Sequence, residues 1–194
     1  MQRLRTSAPL VGFLLQSALL PSGSTLSISD WKKPAAEPEI AVHLGKDLPA
    51  DSDRETAMAA ISGLAPAIEL ADVDHPSEDV EGTLARNIYQ RHLVLGRTEP
   101  SRTGGPLDGL TCRVRRNGSE IAHAADPQSL QSLTGELIDN VRHVANLLAF
   151  LGETLQAGQI IIAGSLIPPL WVHPGEEIIF ELAPVGSISI RFVS

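Results

Sequence analysis

The pair Asn117-Gly118 constrains this chain most strongly. It separates two runs of extended character, Leu110 to Arg116 and Ser119 to Ala124. The tightest hairpin turn needs positive φ at both central positions, which Asn and Gly adopt at least cost. The spacing therefore predicts an antiparallel hairpin. A second pair follows near the C-terminus, where Glu177 to Leu182 and Ser187 to Phe192 flank Gly186. The later run alternates apolar and polar residues cleanly, the period of a strand with one buried face. Antiparallel sheet is thus the framework to which the rest must be fitted.

The candidate chemistry sits in Pro34 to Ala50, PAAEPEIAVHLGKDLPA. Glu37 and Glu39 stand two apart at the head of Ile40 to Leu44, a short branched apolar run that reads as a strand. Side chains two apart on a strand share a face. Two anions side by side repel, so either a cation lies between them or both are solvated. Pro66 to Leu70, PAIEL, is a second short apolar run carrying one acid, Glu69. Three carboxylates on adjacent strands suit a hard divalent ion, Mg²⁺ or Mn²⁺, with water or substrate oxygens completing its shell. From spacing alone the commoner outcome is a solvated edge.

Helical patterns are fewer. Asp51, Ser52 and Asp53 are N-cap candidates, and Ser52 with Glu55 has capping-box spacing for a helix from Asp53 to Leu64. Thr134 to Leu151 is the principal helix, with Leu137, Val141, Val144, Ala145, Leu148 and Leu151 as its apolar stripe and Gly152 placed as C-cap. His143 on that helix reads as solvated. Pro9 to Leu20 is apolar, an extended segment or short helix. Thr25 to Ile28 and Leu93 to Gly96 read as brief strands, and Gln159 to Ala163 as one buried on both faces. Asp72 to Glu81, which holds His75, and Pro100 to Gly109 read as loops.

With 194 residues, one domain is expected. Aromatics are only 4% of a chain that is 43% hydrophobic, so the core must rest on Ile, Leu, Val and Ala. A net charge of −8 argues against a nucleic-acid binder and against anionic membranes. The single cysteine, Cys112, allows no internal disulfide and fits a cytoplasmic protein. MQRLR before APLVGFLLQSALL imitates a secretory signal, but the run is too short to span a bilayer and Gly12 and Gln16 interrupt it. The expected layout is an N-terminal segment, 1–33, packing on a domain of 34–194.

Four stretches taken together, EPEIAVHLGKDLP, PAIEL, NIYQRHLVLG and GETLQAGQIIIAGSLIPPLWVHPGEEIIFELAPVGSISIRF, resemble the fumarylacetoacetate hydrolase superfamily. The branch they are most similar to is that of the 2-keto-4-pentenoate hydratases and related 2-oxo acid decarboxylases. Pro9, Gly12 and Leu14 match the Pro-x-x-Gly-x-Leu segment that precedes the acidic strand in such hydratases. The resemblance implies an α+β fold, a mixed, mostly antiparallel β-roll with flanking helices. It implies that Glu37, Glu39 and Glu69 hold Mg²⁺ or Mn²⁺, and that Gly164, Ser165 and Asn87 lie near a small 2-oxo acid substrate. It also implies an oligomer, of like chains or with a related chain.

The implied reaction passes through an enolate, which a Lewis-acidic ion stabilises. Hydration, decarboxylation and tautomerisation all share that species, so the three acids do not choose among them. Two departures stand out. Relatives carry Ala-Asp-Asn where this chain has Ala85-Arg86-Asn87. Full-length hydratases also carry a lysine in a Tyr-Lys-x-Gly-Leu-Thr type motif before the Pro-x-x-Gly segment, and Lys32, Lys33 and Lys46 lie in no such motif. His43 and His75 are the candidate substitutes for proton transfer. The expectation is a divalent-metal-dependent hydratase. The alternatives are a decarboxylase or a non-catalytic or partner-dependent subunit.

Overall fold

The main core forms where the apolar faces of two sheets meet. A computed structural model describes residues 9–76 and 78–194. After Pro9 the chain runs extended into a 3-10 turn at Gln16–Ala18, then β1 (Leu19–Leu20) and β2 (Ser24–Ser27). β3 (Pro34–Leu44), α1 (Arg54–Ala60) and β4 (Ile61–Asp72) follow. Next come α2 (Val80–Ala85), a 3-10 turn at Asn87–Tyr89, and β5 (Gln90–Leu95). The hairpin is β6 (Thr111–Arg116) and β7 (Ser119–Ala124). After α3 (Pro127–Leu130) and α4 (Leu137–Phe150), the chain ends in β8 (Ile160–Ser165), β9 (Leu170–Trp171), β10 (Glu177–Ala183) and β11 (Gly186–Val193).

One sheet has the order β1-β5-β4-β3-β8, with β9 also on β3; the other runs β2-β11-β10-β6-β7. All pairings are antiparallel except β1 with β5 and β2 with β11. Ile40, Val42, Leu64, Ile68 and Leu70 from the first sheet meet Val114, Ile178, Phe180, Ile190 and Phe192 from the second in one core. The mixed, mostly antiparallel architecture is the one expected. The segment before Pro34 adds one strand to each sheet, so ladder hydrogen bonds as well as packing hold it. Among the described residues no helix is long and apolar enough to cross a membrane.

The Asn117-Gly118 turn has φ of 50° and 83°. Asn117 Oδ1 also accepts from Glu177 N at 2.8 Å, which ties the hairpin to β10. α4 is as predicted on its core side, where Leu137, Ile138, Val141 and Ala145 are buried. Several local expectations are corrected. α1 stops at Ala60, because Ile61 already belongs to β4, whose twelve residues pair along the length of β3. The N-cap of α1 is Asp53, whose Oδ1 accepts from Thr56 N at 2.8 Å; the Ser52 hydroxyl donates to Pro49 O instead. Leu151 lies past the helix end and is exposed. His143 is not free in solvent, since its Nε2 donates to Pro9 O at 3.0 Å. β8 pairs only with β3 and is half-buried except at Ile161, so it is an edge strand.

Candidate metal centre

The register of β3 on β4 builds the site. Glu37 stands directly opposite Glu69, and Glu39 opposite Ala67. No irregularity interrupts that pairing between Pro34 and His43. Ala35, Glu37, Glu39 and Ala41 therefore share one face with Ala71, Glu69, Ala67 and Ala65. It is the face turned away from the main core, and alanines flank the acids so that nothing bulky keeps them apart. One carboxylate oxygen from each of Glu37, Glu39 and Glu69 lies within 4.8 Å of the others.

Burial and repulsion act together here. Glu39 is only 1% exposed. Burial first, then the neighbouring Glu69 and Glu37, push its carboxyl well above the usual range. Burial and the Glu37 charge push Glu69 up to about 8, and burial raises Glu37. None of the ion pairs among the described residues involves these three acids. What opposes the repulsion is a hydrogen bond between the Glu39 and Glu69 carboxyls and a backbone donor, Gly164 N, 2.8 Å from Glu39 Oε2. The geometry that provides it is an irregularity in β8. Ser165 pairs with Glu39 and Ile162 with Ala41, so β8 holds one extra residue. Gly164, at φ 95°, takes up the kink and turns its N–H out of the ladder toward the carboxylate. Three hard oxygens converging in a half-buried pocket of negative charge are a donor set that fits a divalent cation.

Ser165 lies on the same face, opposite Glu39, and its hydroxyl donates to Ile167 O at 2.6 Å. Asn87 is engaged elsewhere. Its Oδ1 accepts from Phe13 N at 2.7 Å and its Nδ2 donates to Phe13 O at 2.8 Å. The amide thus clamps the backbone of the N-terminal segment. A Cβ on Gly12 would meet Asn87 Oδ1 at 2.6 Å, which explains the glycine of the Pro-x-x-Gly segment. Asn87, Ile88 and Tyr89 all have positive φ, costly for branched Ile88, in the turn that presents this amide.

His43 shares the face of Glu39, and burial lowers its pKa. It stands four residues further along β3, roughly 13 Å away, which is outside direct proton-transfer reach. His75 Nε2 pairs with Asp79 Oδ2 at 2.8 Å beside α2. Cys112 is buried and its thiol pushed up to about 11, so it is inert.

Two features were missed in the sequence. Asp72, read as the start of a loop, is a buried carboxylate accepting from Lys32 N at 3.0 Å and Lys33 N at 2.7 Å, and it fixes where β3 begins. A cleft of about 500 Å³ lies beside it, lined by Phe13, Asp72, Asn87, Tyr89, Gln90 and Arg91 among others. An acid three residues after Glu69 in the same strand was the available signal for Asp72. The cleft depends on tertiary placement of the N-terminal segment and had none.

Residues 2–193 match the family described as Fumarylacetoacetate (FAA) hydrolase C-terminal. A 2-keto-4-pentenoate hydratase of Paraburkholderia xenovorans is 28% identical over 198 residues, covering 100% of this chain and 71% of the relative. A 4-oxalocrotonate decarboxylase of Pseudomonas putida is 27% identical over 196 residues, covering 100% of this chain and 73% of that protein. The solved structure of the 4-oxalocrotonate decarboxylase from Pseudomonas putida G7, complexed with magnesium and adipate, superposes with a TM-score of 0.88. Its sequence is 26% identical, over 100% of this chain and 73% of that one.

Proposed function

We infer the reaction from one premise: the chain belongs to the fumarylacetoacetate hydrolase C-terminal family. On that footing we propose a divalent-metal-dependent hydro-lyase acting on a small unsaturated 2-oxo acid, such as 2-hydroxypenta-2,4-dienoate from aromatic catabolism. The observation that carries the proposal is the convergence of Glu37, Glu39 and Glu69 oxygens within 4.8 Å. These three acids would hold Mg²⁺ or Mn²⁺. The hydratase of Paraburkholderia xenovorans supports the reaction class, and the magnesium complex of the decarboxylase supports the ion.

When bound, the ion supplies Lewis acidity to the carboxylate and 2-oxo oxygens of the substrate. The chain's own residues do the positioning. The β3–β4 ladder holds the three carboxylates on rigid backbone rather than on a loop. Gly164 N–H orients Glu39 by donating to its Oε2. Ser165, opposite Glu39, puts a hydroxyl oxygen beside the same face. Ala65, Ala67 and Ala71 leave space above it, and Asn87 holds the N-terminal segment in place.

A second reading is a partner-dependent subunit. It is favoured by the state of the three lysines: Lys32 pairs with Asp74 at 3.8 Å, Lys33 lies over Trp171, and Lys46 is exposed in no catalytic motif. Exposed Phe13, Leu15 and Phe150 would be the apolar surface for assembly with like or related chains. The test is ultraviolet absorbance of 2-hydroxypenta-2,4-dienoate with and without Mn²⁺. Loss of the dienoate band only when Mn²⁺ is present supports the hydratase. Turnover that requires an added full-length relative supports the subunit, and turnover indifferent to chelation refutes the metal site.

A further inference from the structure

The cleft beside Asp72 is built like a binding site of its own. Its volume of about 500 Å³ suits a small molecule, and none of Glu37, Glu39, Glu69, Gly164 or Ser165 lines it. Phe13, Leu15 and Ala18 of the N-terminal segment give it an apolar wall. Phe13 is 63% exposed and Leu15 54%, yet the segment is tied down. Asn87 holds Phe13 by both its N–H and its carbonyl. Leu14, between the two exposed side chains, packs the other way on the cluster of Ala41, Ala65, Ala67 and Leu93. A large apolar side chain that is held in place and left uncovered marks a surface that something else can cover.

The polar lining has donors to spare. Arg91 Nη2 stands 3.7 Å from Asp72 Oδ2, beyond hydrogen-bond length. Arg86 Nε is 3.4 Å from Asp74 Oδ1, and its Nη1 donates to Gly82 O at 3.4 Å, both at the long limit. Asp72 has already spent Oδ1 on the amides of Lys32 and Lys33. Gln90 Nε2, in the same lining, is buried and has no hydrogen-bond partner among the described residues. The charges are uneven as well. Lys32, Arg86 and Arg91 share two carboxylates, Asp72 and Asp74, which leaves one positive charge over in a chain of net charge −8. Asp79 does not cancel it, because His75 Nε2 and Gly82 N occupy its two oxygens. Guanidinium groups with unspent N–H donors are the usual seat of a carboxylate, and a fixed phenyl beside them suits an apolar ring on that acid.

We propose that this cleft binds a small aromatic monocarboxylate apart from the metal centre, with the carboxylate on Arg86 and Arg91 and the ring against Phe13 and Leu15. The site goes beyond the preceding reading and does not depend on it, since no residue that would hold the ion lines the cleft. A ligand there grips the N-terminal segment from its outer side, while Leu14 packs its inner side on Ala67, the residue opposite Glu39.

The test is calorimetric titration of the whole chain in EDTA with benzoate and with benzamide, its uncharged counterpart. The wild type is expected to bind benzoate roughly fivefold to tenfold tighter, the effect of half-exposed charge pairs. Arg86→Met and Arg91→Met should each weaken benzoate about fivefold and leave benzamide unchanged, and Arg91→Lys should keep part of the preference. Raising the salt concentration should shrink it, because both guanidinium groups are half-exposed. Equal affinity for the two ligands, or a benzoate affinity that neither arginine variant moves, overturns the inference. So does benzoate binding that appears only when Mn²⁺ is added, which would seat the acid on the metal and leave the metal-site reading intact. Benzoate binding in EDTA by a chain that takes up no Mn²⁺ would sustain this site and sink the other.

Discussion

Replacing Glu39 with glutamine should make the metal-free protein more stable and the protein useless for metal. Glu39 is 1% exposed and burial pushes its carboxyl well above the usual range, so the folded, ion-free chain holds that proton to higher pH than the unfolded chain does. The unfolded chain ionises it near 4.5. Because the folded pKa is the higher one, the stability linked to this group is complete below about pH 4.5 and is lost as pH rises. At ~1.4 kcal/mol per pH unit, the loss by pH 7 reaches at most about 3.4 kcal/mol. Glutamine keeps the shape and the acceptor for Gly164 N–H without the titration. Glu39→Gln should thus raise Tm in EDTA at pH 7, by at most about 7–14 °C at roughly 2–4 °C per kcal/mol for a chain of this size. At pH 4.5 the difference should be close to zero. Saturating Mn²⁺ should reverse the order, since ligand at a thousand times its Kd adds about 4.1 kcal/mol to the wild type alone. The assay is differential scanning calorimetry at the two pH values, with EDTA or Mn²⁺. A variant less stable than wild type in EDTA at pH 7, or one that gains as much from Mn²⁺, would refute the reasoning.

Gly164→Ala should lower both stability and metal affinity. The new Cβ meets Thr134 Cγ2 at 3.1 Å in a backbone at φ 95°, a strain of about 1–2 kcal/mol; Mn²⁺ titration should show roughly a tenfold weaker Kd. Asn87→Ala removes both hydrogen bonds to Phe13, and calorimetry should register a loss of about 1–3 kcal/mol. Limited proteolysis of that variant should cut within 9–15, a segment that resists cleavage in the wild type. Metal loading of the wild type should release protons when measured above pH 6 and below pH 8, because Glu69, pushed up to about 8, must ionise to bind; equal calorimetric heats in buffers of different ionisation enthalpy would contradict this.

What could be read in the sequence was what local period controls. Asn117-Gly118 dictated a turn that no tertiary contact needed to supply, and the stripe on α4 predicted its buried face. The convergence of Glu37 with Glu39 followed from a period of two. That Glu69 joins them depends also on the antiparallel register that sets it opposite Glu37. The boundary between α1 and β4 was hidden because Ile61, Leu64 and Ala65 continue a helical apolar pattern. Pairing with β3 overrides that propensity, and Leu64 and Ala65 stand opposite Val42 and Ala41. The partner of Asn87 lies 74 residues away, so no spacing argument could find it. The family resemblance pointed to Gly164, but the bulge that aims its N–H at Glu39 is a property of two strands together.

The central claim is that three glutamates on two strands grip one divalent ion. Anomalous scattering from a crystal soaked in Mn²⁺ tests it most directly. The predicted result is one strong peak per chain lying roughly 2.0–2.6 Å from an oxygen of each of Glu37, Glu39 and Glu69. A peak bound elsewhere, or density showing the three carboxylates turned apart with no ion between them, would contradict the account.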